Sequence, residues 1–87
     1  MDIPLALHSP RQLTQHLKSL RRLRGLTQAQ LAERLGIKQS RYASIENRPE
    51  AVSMGRLLKV LAALHAELLL RPKPDTDRVP VASGDGW

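Results

Sequence analysis

Apolar positions recur at helical spacing along much of this chain, and the residues between them mark where each helix starts and stops. Leu13, Leu17 and Leu20 follow the four-and-three spacing of a single helix face, with Leu23 widening the stripe. Ser9-Pro10 suits the start of that helix, because serine can cap exposed amides and proline at the first helical position loses nothing by lacking an N–H. Gly25 suits its end as a C-terminal cap. A second start falls at Thr27, after which TQAQLAERL puts Leu31, Ala32 and Leu35 on one face until Gly36. The run QSRYASIEN predicts a third, short helix with Tyr42 and Ile45 facing inward, broken before Pro49. Ser53 caps a fourth, SMGRLLKVLAALH, with Leu57, Leu58, Leu61 and Leu64 as its apolar stripe.

Beyond the fourth helix, AELLLR has two readings that periodicity cannot separate: an extension of the helix or a short strand. Three leucines in succession, Leu68, Leu69 and Leu70, would put apolar side chains on both faces of a strand, and a domain this small could cover only one. The strand reading therefore predicts pairing with a second copy. From Arg71 onward the composition shifts to PKPDTDRVPVASGDGW, with three prolines, two glycines and no apolar periodicity, which predicts a flexible tail. The expected organisation is an N-terminal extension (1–8), a helical domain (9–65), a dimerisation strand (66–71) and a tail (72–87).

The segment Gln28 to Ile45, QAQLAERLGIKQSRYASI, meets the demands of a helix-turn-helix, in which two short helices pack steeply across a tight turn. Leu31, Leu35, Tyr42 and Ile45 supply the apolar contacts, and Ala32 is small where the backbones approach. Gly36 suits a turn that favours positive φ, and Ile37 plugs the corner. Four amphipathic helices could match by chance, but the combination of Ala32, Gly36 and Ile37 is restrictive.

Charge adds a partner to this picture. The 87-residue chain carries a formal net charge of +6. Ser9 to Arg48 holds nine basic residues against two acidic ones, and the remainder is close to neutral. Such a concentration suits a polyanion, because neutralising phosphates releases condensed counterions; a solvated basic face is the plainer alternative. The absence of cysteine removes disulfides, thiolate catalysis and cysteine-ligated metal. Neither the N-terminus MDIPLALHSP nor any apolar run has the make-up of a signal peptide or a membrane span, so a cytoplasmic protein is expected.

Ser9 to Leu64 resembles the phage-repressor-like helix-turn-helix family, also called XRE, with LTQAQLAERLGIKQSRYASIEN matching the family's core pattern nearly throughout. That resemblance implies an all-α domain of four to five helices whose third helix docks in the major groove. The pattern departs at Tyr42, where the family usually has a β-branched residue, and a tyrosine there is expected to reach partly to the surface. GIKQ at the start of the third helix, IEN with a proline two residues later, and AELLLR after the fourth helix are similar to HipB-type antitoxins. The resemblance to that group implies a dimer, a palindromic operator, a HipA-like serine/threonine kinase toxin as partner, and repression of the pair's own operon. A stand-alone XRE regulator without a toxin is the alternative.

With the third helix in the groove, Lys38, Gln39, Ser40, Arg41 and Ser44 form the face opposite Tyr42 and Ile45. Gln39 could pair with adenine and Lys38 or Arg41 with guanine, although a plain phosphate contact is as good a reading for the two cations. Gln28, at the start of the second helix, is placed to bind a phosphate, as the resemblance also implies. Arg48 and Arg24 are lesser phosphate candidates, better read as solvated. Leu68, Leu69 and Leu70 are the expected dimer contacts.

Rival functions have less behind them. Basic helix one could bind a membrane surface or an acidic partner, but its leucines are those that a four-helix core requires, and no Trp or Phe marks a membrane face. His8, His16 and His65 lie far apart, and no HExxH, GxSxG or phosphate-loop spacing occurs, so no enzyme, metal or cofactor is expected. His16 reads as an ordinary boundary residue. Trp87, in VASGDGW, is either a frayed end or an anchor that a flexible leader carries to a pocket on the toxin, and the second reading is preferred.

Overall fold

In the computed structural model, residues 5–74 are described, and they contain four α-helices: α1 (Pro10–Leu23), α2 (Gln28–Leu35), α3 (Gln39–Asn47) and α4 (Met54–Ala63). A single 3-10 turn, Pro49–Ala51, joins α3 to α4. Local chemistry sets three of the four starts. The side chains of Ser9, Thr27 and Ser53 accept from the backbone N–H three residues on, at 3.3, 3.1 and 3.1 Å. At Thr27 the cap is reciprocal, because Gln30 Oε1 accepts from the Thr27 N–H at 2.9 Å.

Three helices end in one hydrogen-bonded turn, with a left-handed residue after the last helical turn. After α1, Gly25 and Leu26 donate back to Arg22 and Arg21; after α2, Gly36 and Ile37 donate to Glu33 and Ala32. After α4, His65 and Ala66 donate to Ala62 and Leu61. The left-handed residue is glycine in the first two turns, at φ 70° and 73°, and His65 in the third, at φ 58°.

Helix α2 packs on α3 and α4, while α1 packs on α3 and the 3-10 turn. Their shared core is Leu17, Leu26, Leu31, Ala32, Tyr42, Ile45, Leu57, Val60, Leu61 and Leu64. Two expected stripe positions are corrected. Leu23 and Leu58 are exposed, at 66% and 45%, and Val60 takes the inward place on α4 that periodicity had assigned to Leu58. Tyr42 is also corrected: it is completely buried instead of reaching the surface.

Of the two readings of AELLLR, the helical extension is excluded, because α4 ends at Ala63 and turns left-handed at His65. Residues 66–71 form neither helix nor strand in the single chain. Trp87 and most of the expected tail lie outside the described residues.

Candidate nucleic-acid interface

Helix α3 shows two chemically distinct sides. Tyr42, Ile45 and Glu46 are buried, while Lys38, Gln39, Ser40, Arg41 and Ser44 are exposed together on the other side. Among the four described α-helices, α3 alone has an N-cap residue, Lys38, that supplies no side-chain acceptor. The Arg41 N–H donates to the Lys38 carbonyl at 3.0 Å, which leaves the amides of Gln39 and Ser40 open to an anion approaching from outside. The Ser44 hydroxyl donates to the Ser40 carbonyl at 3.2 Å, so an external partner would meet Ser44 first as an acceptor.

Next to this side, a shallow open groove runs between α3 and the start of α4, lined by Arg41, Ser44, Arg48, Ser53 and Arg56. Arg48 is exposed and only loosely approached by Glu50, at 4.0 Å. The groove thus carries three cations. Sequence reasoning had singled out Arg41 and Arg48 but missed Arg56, which lies on the cap turn of α4 and needed the packing of α4 on the domain to bring it near α3.

Behind α3 lies a buried polar cluster that anchors the exposed side. Glu46 is fully buried and receives four hydrogen bonds: from Arg21 Nε and Nη2 at 2.9 and 3.2 Å, from Gln28 Nε2 at 2.8 Å and from the Tyr42 hydroxyl at 2.9 Å. Arg21 also donates to the Leu26 carbonyl at 3.1 Å, which ties down the loop between α1 and α2. Burial by itself would raise the Glu46 pKa, but the bonds from Arg21, Gln28 and Tyr42 outweigh it and hold the carboxyl below its ordinary range. Tyr42 is pushed up, first by burial and then by its bond to Glu46, and Arg21 is raised chiefly by its bond to Glu46. No buried side-chain nitrogen or oxygen among the described residues lacks a partner.

This cluster changes the picture of Gln28. Its amide nitrogen is held by Glu46, which leaves one amide hydrogen for an outside acceptor and restricts the rotamer that presents it. Glu46 had a sequence signal that went unused: it lies four residues after Tyr42, on the inward side of the same helix, and a carboxylate there requires a buried cation.

Two further residues make contacts that the sequence did not suggest. Arg24 is exposed, as expected, but its head group is tethered, because Nε donates to the Leu64 carbonyl at 2.9 Å and Nη2 to the His65 carbonyl at 3.2 Å. His16 is half-buried, as a boundary residue should be, and its Nε2 meets the Ala6 carbonyl while the His8 N–H meets Gln12, folding residues 6–8 back onto α1. No described helix is long and apolar enough to cross a membrane.

Residues 17–69 match the helix-turn-helix family. The chain is 36% identical over 64 residues to the antitoxin HipB of Escherichia coli O6:H1 (strain CFT073), which spans 74% of this chain and 68% of that protein. To the antitoxin HipB of Escherichia coli K12 it is 34% identical over 64 residues, 74% of this chain and 73% of that protein. Among solved structures, the fold is similar to a HipB-O1-O2 complex, with a TM-score of 0.69, 33% identity, and coverage of 77% of this chain and 97% of that one. It is likewise similar to a HipA-HipB-O2-O3 complex, with a TM-score of 0.70, 32% identity, and coverage of 79% and 97%.

Proposed function

Since the chain belongs to the helix-turn-helix family, in the group of HipB-type antitoxins, we propose that it acts in the cytoplasm as a homodimeric repressor that binds a palindromic operator with α3 and neutralises a HipA-like serine/threonine kinase toxin. The observation that carries this reading is the exposed set Lys38, Gln39, Ser40, Arg41 and Ser44, held outward by a buried Tyr42–Glu46–Arg21 cluster. Base edges in the major groove fall to Gln39, Lys38 and Arg41, while Gln28, Arg48 and Arg56 take phosphates. The expected dimer pairs residues 66–71 of two copies through Leu68, Leu69 and Leu70, which sets two α3 helices about 34–36 Å apart, one turn of DNA. The toxin contact is assigned to Trp87 and the segment before it. Repression of the pair's own operon follows, since one protein would hold both the operator and the toxin.

The names of the similar structures support the two halves of the reading: one contains HipB with O1 and O2, another HipA with HipB, O2 and O3. The test is co-expression with the adjacent gene, followed by purification and by footprinting on the DNA upstream of the pair. A retained kinase-like partner and a protected palindrome are expected. A protected palindrome with no retained partner would leave a plain regulator, and no protection at all would overturn the repressor reading.

A further inference from the structure

The C-terminal turn of α4 is the one place where the fold sets a non-glycine residue in the left-handed region among the described residues, and it is also where Arg24 reaches across from α1. Arg24 is itself the C-cap residue of α1, with its backbone N–H bonded to Leu20 and Arg21. Its side chain then donates to the carbonyls of Leu64 and His65, 40 and 41 residues later, at 2.9 and 3.2 Å. These carbonyls have no acceptor role inside α4, whose last turn is closed by the His65 and Ala66 amides. A cation at that end is also favoured by the helix dipole. The residues that come next are Ala66, packed against the core, and then Leu68, Leu69 and Leu70, which are 38%, 75% and 93% exposed. The chain therefore passes from fixed backbone to uncovered leucines within four residues.

We propose that Arg24 positions residues 66–71 for pairing with a second copy: by holding the carbonyls of Leu64 and His65, it sets the direction in which the chain leaves α4. This rests on the dimer reading given above. Pairing two strands across a symmetry axis demands that both leave their domains at one angle, and a left-handed turn held by a guanidinium fork supplies a fixed one. Without Arg24, the turn keeps its two amide bonds but loses the tie to α1, and the leucines sample many directions. In this role Arg24 acts through geometry and not as a phosphate contact.

Sedimentation equilibrium on the full chain tests this, with Arg24→Ala, Arg24→Lys, the wild type and a Leu69→Asp/Leu70→Asp control. Arg24→Ala, which removes both carbonyl bonds, is expected to raise the dimer dissociation constant about tenfold, with helix content by circular dichroism unchanged. Arg24→Lys, which reaches one carbonyl only, is expected between Arg24→Ala and wild type. Binding to a random-sequence duplex, with each variant above its own dimer constant, is expected to keep the wild-type salt slope. A wild-type dimer constant in Arg24→Ala overturns the proposal, as does a slope reduced by about 0.9 per protomer, which would make Arg24 a phosphate contact. If Arg24→Ala does not fold, Arg24→Lys decides: a dimer constant equal to wild type overturns the proposal. A Leu69→Asp/Leu70→Asp protein that still dimerises shows instead that the dimer reading itself fails.

Discussion

Glu46 decides what three other residues can do. Its carboxylate is closed off from solvent and accepts from Arg21, Gln28 and Tyr42, so α1, α2 and α3 share one buried charge. Glu46→Gln leaves the Arg21 guanidinium, 12% exposed, without its counter-charge, and is expected to cost about 3 kcal/mol in urea unfolding. Tyr42→Phe removes one hydrogen bond and leaves the carboxylate two other donor residues, so a cost of about 1–2 kcal/mol is expected. The acid dependence has a definite sign. A carboxyl whose folded pKa lies below its unfolded one contributes stability above the unfolded value, about 4.3, and loses it as the pH falls through the folded value. The wild type should therefore lose stability below about pH 4.3 more steeply than Glu46→Gln in matched unfolding curves. At this scale the sequence was readable for α3's outer side and held the inward place of Glu46, four residues after Tyr42, but not its partner, because the pairing of Glu46 with Arg21 joins residues 25 apart.

At the scale of the elements, boundaries were legible because they rest on local chemistry. Ser9, Thr27 and Ser53 cap as their side chains dictate, and α3 runs over the predicted QSRYASIEN. Thr27→Ala removes a reciprocal cap and is expected to lower stability by about 1 kcal/mol in thermal or urea unfolding. The paired turns at Gly36 and His65 allow a sharper measurement. A Cβ at Gly36 would meet nothing within 4 Å, so Gly36→Ala should lose only the left-handed backbone preference, about 1 kcal/mol. His65→Gly should move stability the opposite way, by up to about 1 kcal/mol, because it relieves the same backbone cost at φ 58°. Which leucine of a wide stripe faces inward was less legible. Leu23 and Leu58 lie at the margins of their stripes, and the neighbouring helices, not the spacing, leave them exposed.

For the molecule as a whole, the positive segment and the groove between α3 and α4 give expected binding behaviour. Operator affinity should fall steeply with salt, and Arg56→Ala should flatten the slope by about 1 while weakening all duplexes alike. Gln39→Ala should instead relax base preference at one position of each half-site, visible when selected sequences are compared. Deleting residues 81–87 is expected to weaken toxin capture in a pull-down and leave operator affinity unchanged; lost operator binding would remove Trp87 from the partner contact.

The helix-turn-helix, its caps, its glycine turn and the polar side of α3 could be read from the residues alone, since each depends on positions close together in the chain. Tertiary structure alone decided the rest. It turned Arg21 and Arg24, two members of one basic run, into a buried counter-ion and a clamp on a distant helix end, and it added Arg56 to the groove. It also ended α4 before AELLLR, leaving Leu68, Leu69 and Leu70 exposed. The reason is common to all of these: helical periodicity states which side of an element is apolar, but the partner of a charge or of an uncovered leucine is chosen by the element that arrives opposite it.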